Sequence, residues 1–404
     1  MKKELILVLN CGSSSVKFSI IDPIKEVTYI DGIVETINSV TSLIINNFIK
    51  NKKLFKKFDK VESYKKLIIL IFDILINQYK NYLNNVVGIG HRVVHGGRYL
   101  KKSMIINSSV LSKIQESSIF APLHNPFHLL AINIALKKIL KLKNFNVAVF
   151  DTAFHHTLPK ESFLYAIPYH FYTDYSIRRY GAHGINHFYI TKKSSIFLKK
   201  PIFKLNIISC HLGSGSSITA IVNGKSIDTS MGLTPLEGLV MGTRCGDIDP
   251  SIIFYMVKEL GMSIDKVQKI LTENSGVLGI SSISNDFRKL EEKYNINKKA
   301  KLSIDIFCRR ISKYICGYSS LMYGRLDAIV FTGGIGENSS LIRYKIIDKL
   351  SLIGCFLDLD KNLENNKKIM FINSIKSIPI LVIPANENQI IAKETYDLVK
   401  KSIL

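Results

Sequence analysis

The sequence predicts an α/β protein made of two homologous halves, each opening on a similar pair of strands. Residues 5–20 read LILVLNCGSSSVKFSI, and residues 207–227 read IISCHLGSGSSITAIVNGKSI. Each segment is an apolar strand, then a short Gly/Ser turn, then a strand in which apolar and polar residues alternate. A third glycine cluster, TGGIGEN, follows the apolar strand predicted at residues 326–331 and precedes a helix predicted over residues 339–350. Three such loops in one chain favour a phosphate-containing ligand.

The first strand pair is predicted to form a phosphate-binding hairpin. Residues 5–9 are apolar throughout and read as a buried strand that stops at Asn10. Gly12 and the three serines after it make a tight polar turn, and residues 16–20 form the alternating second strand. The tip therefore collects backbone N–H groups, hydroxyls and the ammonium group of Lys17, which suit phosphate oxygens. Because a strand follows the glycine, this turn is neither a P-loop nor a Rossmann turn, in which a helix must follow.

The end of the chain repeats the strand–turn–helix pattern. A strand predicted at residues 381–384 leads into a turn and an amphipathic helix over residues 389–404. Glu387 lies at the start of that helix, where it either faces a metal ion or stabilises the helix N-terminus.

The composition is that of an ordinary globular protein. The 404 residues allow two domains, and 47% are hydrophobic while 22% are charged. The apolar run near the amino terminus is too short for a signal peptide, and residues 67–76 are predicted to be a core helix. Six cysteines without metal-binding spacing predict reduced thiols and a cytoplasmic location.

The net charge of +23 raises the question of an anionic partner. Such a charge fits a protein that binds nucleic acid or an anionic membrane, but it also arises when lysines are spread over solvated surfaces. The densest basic stretch, residues 50–66, is predicted to be a linker and helix surface without a stacking platform or a known binding motif. We therefore expect no specific nucleic acid partner and no membrane partner.

Polar side chains concentrate at predicted strand ends and in glycine-rich loops, where active sites collect. The strings GHRVVHGG, APLHNPFH, FDTAFHH, RRYGAHGINH and GTRCGDIDP carry them. A single histidine of this kind is more often a packed or surface residue than a catalyst, so the set as a whole carries the argument. The candidate residues are His91, Arg92, His95, His124, Asp151, His155, His156, Arg178, Arg179, His183, His187, Arg244, Asp247 and Asp249.

These residue types indicate phosphoryl transfer. That reaction needs accurate positioning and positive charge around the transferred group more than it needs covalent chemistry. Arg92 and Arg244 can each bind a phosphoryl or carboxylate group through two N–H bonds, and His183 can bind another oxygen.

A magnesium site is predicted from Asn10, Asp151 and Glu387, whose oxygen atoms are the ligands that Mg²⁺ prefers. A zinc site is disfavoured, because the sequence has no HxxxH helix pattern and no matched ligand set. A serine hydrolase is also disfavoured, because there is no GxSxG turn.

Taken together, these strings and the glycine loops are similar to those of the acetate kinase family. The similarity runs in the family's order from residue 5 to the carboxyl terminus, and MGLTPLEG and GDIDP are its most specific parts. It implies the actin-like ATPase (ribonuclease H-like) fold, with two homologous βββαβαβα domains and a nucleotide cleft between them. The domains would be residues 1–150, completed by the helix 386–404, and residues 151–385.

The resemblance also implies a homodimer and a reversible reaction. ATP and acetate would give acetyl phosphate and ADP by direct attack of the carboxylate, with Mg²⁺ or with Mn²⁺ in its place.

The resemblance assigns residue roles by motif. Asn10 and Glu387 would bind the metal ion, and Lys17 would bind a phosphate of ATP. The catalytic residues would be Asp151, His183, Arg244 and His124, and the acid would be bound by Arg92, Val94, Leu123 and Pro235. The nucleotide would be bound by three segments: His211, Leu212, Gly213, Ser214 and Gly215; Asp286, Phe287 and Arg288; and Gly334, Ile335, Gly336, Glu337 and Asn338.

The role that the resemblance gives to Asp151, that of a catalytic acid, conflicts with the chemistry. Acetate is already ionised at pH 7, so the carboxylate nucleophile needs no general base. We therefore expect Asp151 to position Mg²⁺ or a water molecule rather than to take a proton from the substrate.

Ala182 is the most informative departure from the family's strings, which usually carry Phe at this position. That ring walls the methyl pocket, so alanine leaves a larger cavity unless its neighbours fill it. An alternative function is therefore a propionate or butyrate kinase with a widened pocket. A non-catalytic actin-like ATP-binding protein is a further alternative, although the presence of Arg92, His183 and Arg244 argues against it.

Overall fold

A computed structural model describes residues 3–12, 15–37, 40–58, 63–364 and 368–403. The chain forms two compact units: one comprises Met1–Phe154 with Asn386–Leu404, and the other comprises His155–Ala385. The predicted boundary after residue 150 lies close to this division, and Asp151 belongs to the first unit. Within the described residues, no helix has the length and apolar character needed to cross a membrane.

The first unit is built around an eight-stranded sheet. Its strands are β1 Leu5–Cys11, β2 Ser15–Asp22, β3 Val27–Ile37, β4 Val40–Asn47, β5 Lys52–Phe58, β6 Val86–Val93, β7 Met104–Ile105 and β8 Asn146–Phe150. Their order across the sheet is β5-β4-β3-β2-β1-β6-β8-β7. Strands β1 to β5 pair antiparallel, whereas β6 is parallel to both β1 and β8. The carboxyl ends of β1, β6 and β8 therefore lie at the same edge of the sheet.

The first predicted hairpin is confirmed by the pairing of β1 with β2. The side chains at residues 5–9 are at most 2% exposed, as expected for a strand that is covered on both faces. Asn10 lies directly opposite Lys17 in the antiparallel register, so both reach the tip of the hairpin. Ser13 and Ser14 of the predicted turn lie outside the described residues.

Helices cover this sheet. They are α1 Tyr64–Gln78, α2 Lys80–Leu83, α3 Ser108–Glu116, α4 Asn125–Lys138 and the carboxyl-terminal helix α16 Glu387–Ile403. The core helix predicted at residues 67–76 is confirmed within α1. Helix α16 lies directly on β6 at two glycines, since a Cβ atom on Gly88 would come within 2.9 Å of Val399 Cγ2 and one on Gly90 within 2.7 Å of Ile391 Cγ2. This close packing brings Glu387, the first residue of α16, into the first unit.

Two expectations for the first unit are wrong. Residues 52–58, within the basic stretch expected to be linker and helix surface, form the edge strand β5, which pairs with β4 alone. Exposed lysines on an edge strand disfavour pairing with a further strand. In β5 they also interrupt the alternation of apolar and polar residues by which a strand is recognised in a sequence. Residues 59–62 of the stretch lie outside the described part of the chain. Arg92 is expected just beyond a strand, but β6 continues through it to Val93.

The second unit is built around a six-stranded sheet. Its strands are β9 Ile207–Leu212, β10 Ser216–Val222, β11 Lys225–Thr229, β12 Ala328–Thr332, β13 Met370–Phe371 and β14 Ile380–Val382. Their order is β11-β10-β9-β12-β14-β13, which repeats the order β3-β2-β1-β6-β8 of the first sheet over five strands. The hairpin strand β9 pairs antiparallel with β10 and parallel with β12, as β1 does with β2 and β6. The predicted α/β fold with two similar halves is confirmed.

Eleven α-helices of the described residues belong to the second unit. They are α5 Lys160–Phe163, α6 His170–Tyr175, α7 Gly184–Phe197, α8 Ser251–Lys258, α9 Ile264–Glu273, α10 Gly276–Ser281, α11 Phe287–Glu292, α12 Lys298–Ser319, α13 Gly333–Asn338, α14 Ser340–Ile347 and α15 Leu359–Leu363. The long helix α12 buries Ile304, Phe307 and Ile311 at helical spacing in the core of this unit.

The third glycine cluster differs from the expectation of an open loop before a helix. The segment GGIGEN is itself the short helix α13, which begins directly after β12. Ser339 then caps the next helix, accepting the Ile342 N–H at 3.1 Å, so the predicted helix at 339–350 is confirmed over 340–347. Glycine content hides the helix from a propensity argument, because glycine is a poor helix former.

Replacing Gly90 by alanine should loosen the packing of α16 on β6. We expect Gly90→Ala to lower the free energy of unfolding by about 1–3 kcal/mol, because the added methyl group must displace atoms of Ile391 and Thr395. Urea denaturation followed by circular dichroism measures the change.

The matched control is Gly317→Ala in α12, where no atom lies within 4 Å of the added methyl group. This substitution should raise the free energy of unfolding by up to about 1 kcal/mol, because alanine favours a helix. Equal effects of the two substitutions would contradict the close contact between α16 and β6.

Candidate active site

The first unit gathers three predicted site residues around the guanidinium group of a fourth, Arg92. Arg92, near the end of β6, donates from Nη2 to Asp151 Oδ2 at 2.6 Å and from Nε to the same oxygen at 3.1 Å. Its Nη1 donates to Asn10 Oδ1 at 3.0 Å, and Glu387 Oε2 lies 3.7 Å from Nε. Asn10 and Asp151 come from the ends of β1 and β8, so the parallel strand order brings the three together.

The charges of this cluster are paired but not balanced. Burial lowers the pKa of Arg92, but attraction by Asp151 and by Glu387 outweighs burial and raises that pKa overall. Arg92 therefore stays charged, and it is paired with an Asp151 side chain that is only 1% exposed. One guanidinium faces two carboxylates, so the cluster keeps an excess of negative charge that favours a further cation.

The oxygen donors of this cluster fit Mg²⁺. Asn10 offers an amide oxygen and Asp151 and Glu387 offer carboxylates, which is the donor chemistry of a hard cation. Within the described residues, no group of three or more His, Cys, Asp or Glu side chains is arranged to hold a metal ion. Mg²⁺ itself is usually bound through one or two carboxylates and the phosphates of the substrate.

Two buried side chains, His128 and Asn125, hold the backbone near this cluster. Neither of them was assigned a role from the sequence. His128 donates from Nε2 to the Cys11 carbonyl at 2.8 Å and accepts the Val94 N–H at Nδ1, 3.4 Å away. Burial, and then repulsion by Arg92, lower the pKa of His128 to about 3, so the ring is neutral and keeps this tautomer. Asn125 accepts the His95 N–H at Oδ1 (3.2 Å) and donates from Nδ2 to the His95 carbonyl (2.9 Å).

The predicted acid-binding residues of the first unit occupy different environments. Val94 is buried, in the segment that His128 holds. His124 is half-buried at the N-terminus of α4, whereas the Leu123 side chain is 57% exposed.

The second unit brings His183 and Arg244 together at the tip of the hairpin between β9 and β10. A Cβ atom on Gly215 would lie 3.5 Å from Arg244 Nη1 and 3.6 Å from His183 Nε2. The glycine therefore leaves space in front of both side chains, at the point where a phosphate group is predicted to bind. Gly242 N–H donates to the Ser214 carbonyl at 2.9 Å, which attaches the loop before Arg244 to this hairpin.

A set of histidine and serine contacts holds His183. Its ring stacks on His211 with centroids 4.2 Å apart, and its Nδ1 is 3.0 Å from Ser217 Oγ. The same Oγ is 2.8 Å from Nε2 of His187, a fully buried ring whose pKa burial places well below its usual range. Asn186 donates from Nδ2 to His211 Nδ1 at 2.7 Å. Because Nδ1 of His183 is occupied by Ser217, its Nε2 is the nitrogen that faces the space at Gly215.

Arg244 differs from Arg92 in having only neutral contacts among the described residues. Its Nη1 donates to the Pro235 carbonyl at 3.2 Å and lies 3.6 Å from Met241 Sδ. Burial lowers its pKa, and no carboxylate of the described residues offsets the cost of burying the charge. A largely buried guanidinium without an anionic partner is suited to bind an anion.

The predicted nucleotide residues lie in three places in this unit. His211, Leu212 and Gly213 end β9 and begin the hairpin. In α13, a Cβ atom on Gly334 would meet no atom within 4 Å, so a ligand can approach that backbone, and Glu337 accepts the Ala385 N–H at 2.9 Å.

The SNDFRKL string forms the start of α11. Asp286 caps this helix by accepting the Arg288 N–H at 3.0 Å, and the exposed Arg288 side chain returns to it at 2.7 Å. Phe287 is buried against Phe307, with ring centroids 4.6 Å apart, so only its backbone is available to a ligand.

The sequence is similar over nearly its whole length to proteins of one known family. A profile of the acetokinase family matches residues 5–393. The chain belongs to the acetokinase family. An acetate kinase from Buchnera aphidicola subsp. Cinara cedri (strain Cc) is 69% identical over 406 residues, which cover 100% of both chains.

Solved structures of acetokinase relatives share the fold. A propionate kinase from Francisella tularensis subsp. tularensis SCHU S4 is 44% identical, with a TM-score of 0.91 over 98% of this chain and 100% of that one. An acetate kinase from Porphyromonas gingivalis is 35% identical, with a TM-score of 0.88 over the same shares.

The acetokinase strings contained signals for the supporting residues that were missed. Asn125 and His128 stand in APLHNPFH, where only His124 was singled out. His128 follows His124 by one helical turn, so the spacing alone points both residues towards one face of α4. Ser217 closes the string HLGSGSS, but a serine that orients a histidine from another segment carries no local signal.

Four buried histidines should make this acetokinase sensitive to acid. Burial lowers the pKa of His91 and His155 to about 4 and that of His128 to about 3, and it also lowers that of His187. Below pH 6.5 the unfolded chain therefore binds more protons than the folded one. The free energy of unfolding should fall from pH 6.5 towards pH 4, by up to about 1.4 kcal/mol per pH unit for each histidine.

Urea midpoints between pH 7 and pH 4.5 test this prediction in wild type and in His91→Gln, which removes one such group. The slope of stability against pH should be smaller in His91→Gln. The control is His170→Gln, at an exposed histidine, which should keep the wild-type slope. Identical slopes for all three proteins would show that His91 does not titrate as described.

Proposed function

We propose that this chain is an acetate kinase that transfers the γ-phosphoryl group of ATP to acetate and also catalyses the reverse reaction. A bond forms between a carboxylate oxygen of acetate and the γ-phosphorus, while the bond from that phosphorus to the β–γ bridging oxygen breaks. The products are acetyl phosphate and ADP. The observation that carries the proposal is the 69% identity, over the full length of both chains, to an acetate kinase.

The first-unit cluster is proposed to hold the metal ion and one anionic group. Asn10, Asp151 and Glu387 would hold Mg²⁺, which when bound neutralises charge on the phosphate oxygens. Arg92 uses three of its N–H groups within the cluster, and its remaining donors are proposed to bind the carboxylate of acetate. The direct contact of Asp151 with Arg92 supports a positioning role for this carboxylate rather than proton transfer. Lys17, opposite Asn10, is proposed to bind a phosphate of ATP.

The second-unit cluster is proposed to stabilise the charge on the transferred group. Arg244 is a largely buried cation without a carboxylate partner among the described residues, and His183 presents Nε2 beside it at Gly215. Both can donate to equatorial oxygens, whose charge must be stabilised during transfer. The hairpin from His211 to Gly215 and the backbone of α13 are proposed to bind the nucleotide. The roles of His124, Val94, Leu123 and Pro235, and of residues 286–288, stay predictions.

Formation of acetyl phosphate tests the proposed function. With acetate, ATP, Mg²⁺ and hydroxylamine, the protein should form acetyl hydroxamate at a rate that depends on acetate. Arg244→Ala should lower kcat by at least about 100-fold, because a preorganised charge is lost from the transition state. The exposed α12 residue Arg309 supplies the control, and Arg309→Ala should keep the wild-type kcat. ATP binding without any acetate-dependent product would instead favour the non-catalytic alternative.

A propionate or butyrate kinase is the second candidate function. A specific observation favours it, namely the 44% identity to a solved propionate kinase. Ala182 is buried in a small cluster with Met231 and Met241, both fully buried. Methionine side chains are flexible enough to fill the space left by a missing ring and to yield to a longer acid.

The chain-length preference can be tested at Ala182. Ala182→Phe should lower kcat/KM for propionate and butyrate more than for acetate, by a factor that corresponds to about 1–3 kcal/mol per methylene group. The measurement compares the three acids in wild type and variant under the same ATP and Mg²⁺ concentrations. Unchanged ratios of kcat/KM among the three acids would contradict the widened-pocket hypothesis.

A homodimer is also proposed, with α8 in its interface. This helix has no buried residue, and it exposes Ile252, Phe254 and Tyr255, the last two by about 60% of their surface. Ile252 and Tyr255, three residues apart, lie on the same face of the helix, and exposed apolar groups of this kind are typical of a protein interface. Light scattering should give twice the chain mass of 45.6 kDa, and Phe254→Lys should shift the protein towards the monomer. A monomeric wild-type protein would contradict the proposal.

A cytoplasmic location is proposed from the cysteines. All six are free thiols, and four of them are buried in the two cores. That pattern is typical of a reducing compartment.

A further inference from the structure

Arg179 joins the two segments of the second unit that carry its proposed catalytic side chains. Its Nη1 donates to the carbonyls of Thr229, Ser230 and Met231 at 3.0, 3.2 and 3.3 Å. Its Nη2 donates to Glu237 Oε1 at 2.6 Å. One side chain thus fixes both ends of the turn between the end of β11 and Glu237.

Glu237 is held on its other oxygen as well. Tyr165 donates its hydroxyl to Glu237 Oε2, and the phenol oxygen accepts the Leu233 N–H at 2.8 Å. We call Arg179, Glu237 and Tyr165 the clamp. It closes tightly over Gly232, where a Cβ atom would collide with both Glu237 Oε2 and the Tyr165 oxygen.

The clamp acts on the backbone that leads to His183. Residues 180 and 181 follow Arg179 directly, and the N–H groups of Tyr180 and Gly181 both donate to the Gly232 carbonyl, at 3.0 and 3.1 Å. The segment before His183 is therefore attached to the same turn that Arg179 holds through its side chain.

The clamp also acts on the support of Arg244. Pro235 lies within the clamped turn, and its carbonyl accepts the Arg244 Nη1 at 3.2 Å. Gly238, directly after Glu237, is fixed in turn by Asp247 Oδ1, which accepts its N–H at 2.8 Å. A shift of this turn would therefore move the guanidinium relative to His183.

Near neutral pH, Arg179 stays charged and Tyr165 stays protonated, so both continue to donate to Glu237. Burial lowers the pKa of Arg179, but attraction by Glu237 outweighs burial and raises that pKa overall. Burial and Glu237 both raise the pKa of Tyr165, so its hydroxyl stays a donor. Arginine is needed here because its planar fork reaches four acceptors at once, whereas an ammonium group cannot.

We propose that Arg179 and Glu237 are positioning residues for phosphoryl transfer, which hold His183 and Arg244 in register with each other. The inference rests on the proposed acetate kinase function, although neither residue touches the reacting atoms.

The test compares Glu237→Gln, Arg179→Lys, Arg179→Ala and the double variant Arg179→Ala/Glu237→Gln in the full protein. We expect kcat to fall about 10- to 100-fold in Glu237→Gln, because a small misplacement of catalytic groups has an effect of that size. KM for ATP should change by less than about twofold, since no clamp residue belongs to the segments proposed to bind the nucleotide. Arg179→Lys should keep more activity than Arg179→Ala, and the double variant should lose no more than the worse single variant.

The matched control is Asp305→Asn. Asp305 also pairs with a cation, Lys345, at 3.1 Å, and also accepts a tyrosine hydroxyl, from Tyr294 at 2.9 Å. Losing this pair should leave kcat at the wild-type value. Equal losses of kcat in Asp305→Asn and Glu237→Gln would overturn the proposal, because the effect would then be one of general stability.

A second readout separates the clamp from the proposed function. Hydrogen–deuterium exchange of residues 230–238 should become faster in Glu237→Gln and stay unchanged in Asp305→Asn. If wild type forms no acetyl phosphate, the proposed function fails, while faster exchange still supports the clamp. Unchanged exchange in Glu237→Gln, or a wild-type kcat in that variant, would overturn the clamp as a positioning device.

Discussion

The ion pair between Arg92 and Asp151 is the interaction on which the first unit's site depends. A carboxylate that is 1% exposed is stable only with a partner charge, because an unpaired buried charge costs several kcal/mol. Arg92 supplies that partner from the neighbouring parallel strand and reaches Asn10 at the same time. The sheet therefore brings the three side chains together, because the parallel strands that carry them are neighbours and end at the same edge.

In the second unit, the cation Arg244 has no carboxylate beside it among the described residues. Arg244 keeps a burial cost that only neutral groups offset within the described residues, which leaves its charge available to an anion. The loop around it is fixed elsewhere, by Arg179 and Glu237, whose charges cancel each other. We propose that Arg244 binds an anion with its charge, whereas Arg179 and Glu237 hold the loop in position.

Much of this arrangement could be predicted from the sequence, for a physical reason. Asn10 and Asp151 stand at the ends of the apolar strands β1 and β8, which flank the strand that carries Arg92, so strand order brings the three together. The lysine-rich β5 could not be predicted, because an edge strand exposes its charged residues and hides its alternation. His128, Ser217 and Glu237 were also not assigned, since each acts through a contact with a distant segment that no local pattern records.

In the proposed function, Asp151 acts on Arg92 and on the metal ion through its charge and does not carry a proton. The most direct test is the rate of acetyl phosphate formation in Asp151→Asn, measured against Mg²⁺ concentration and against pH. We expect a higher KM for Mg²⁺ and a lower kcat, with both limbs of the pH–rate profile retained. Unchanged Mg²⁺ dependence together with the loss of one limb of the pH–rate profile would contradict this role and identify Asp151 as a proton carrier.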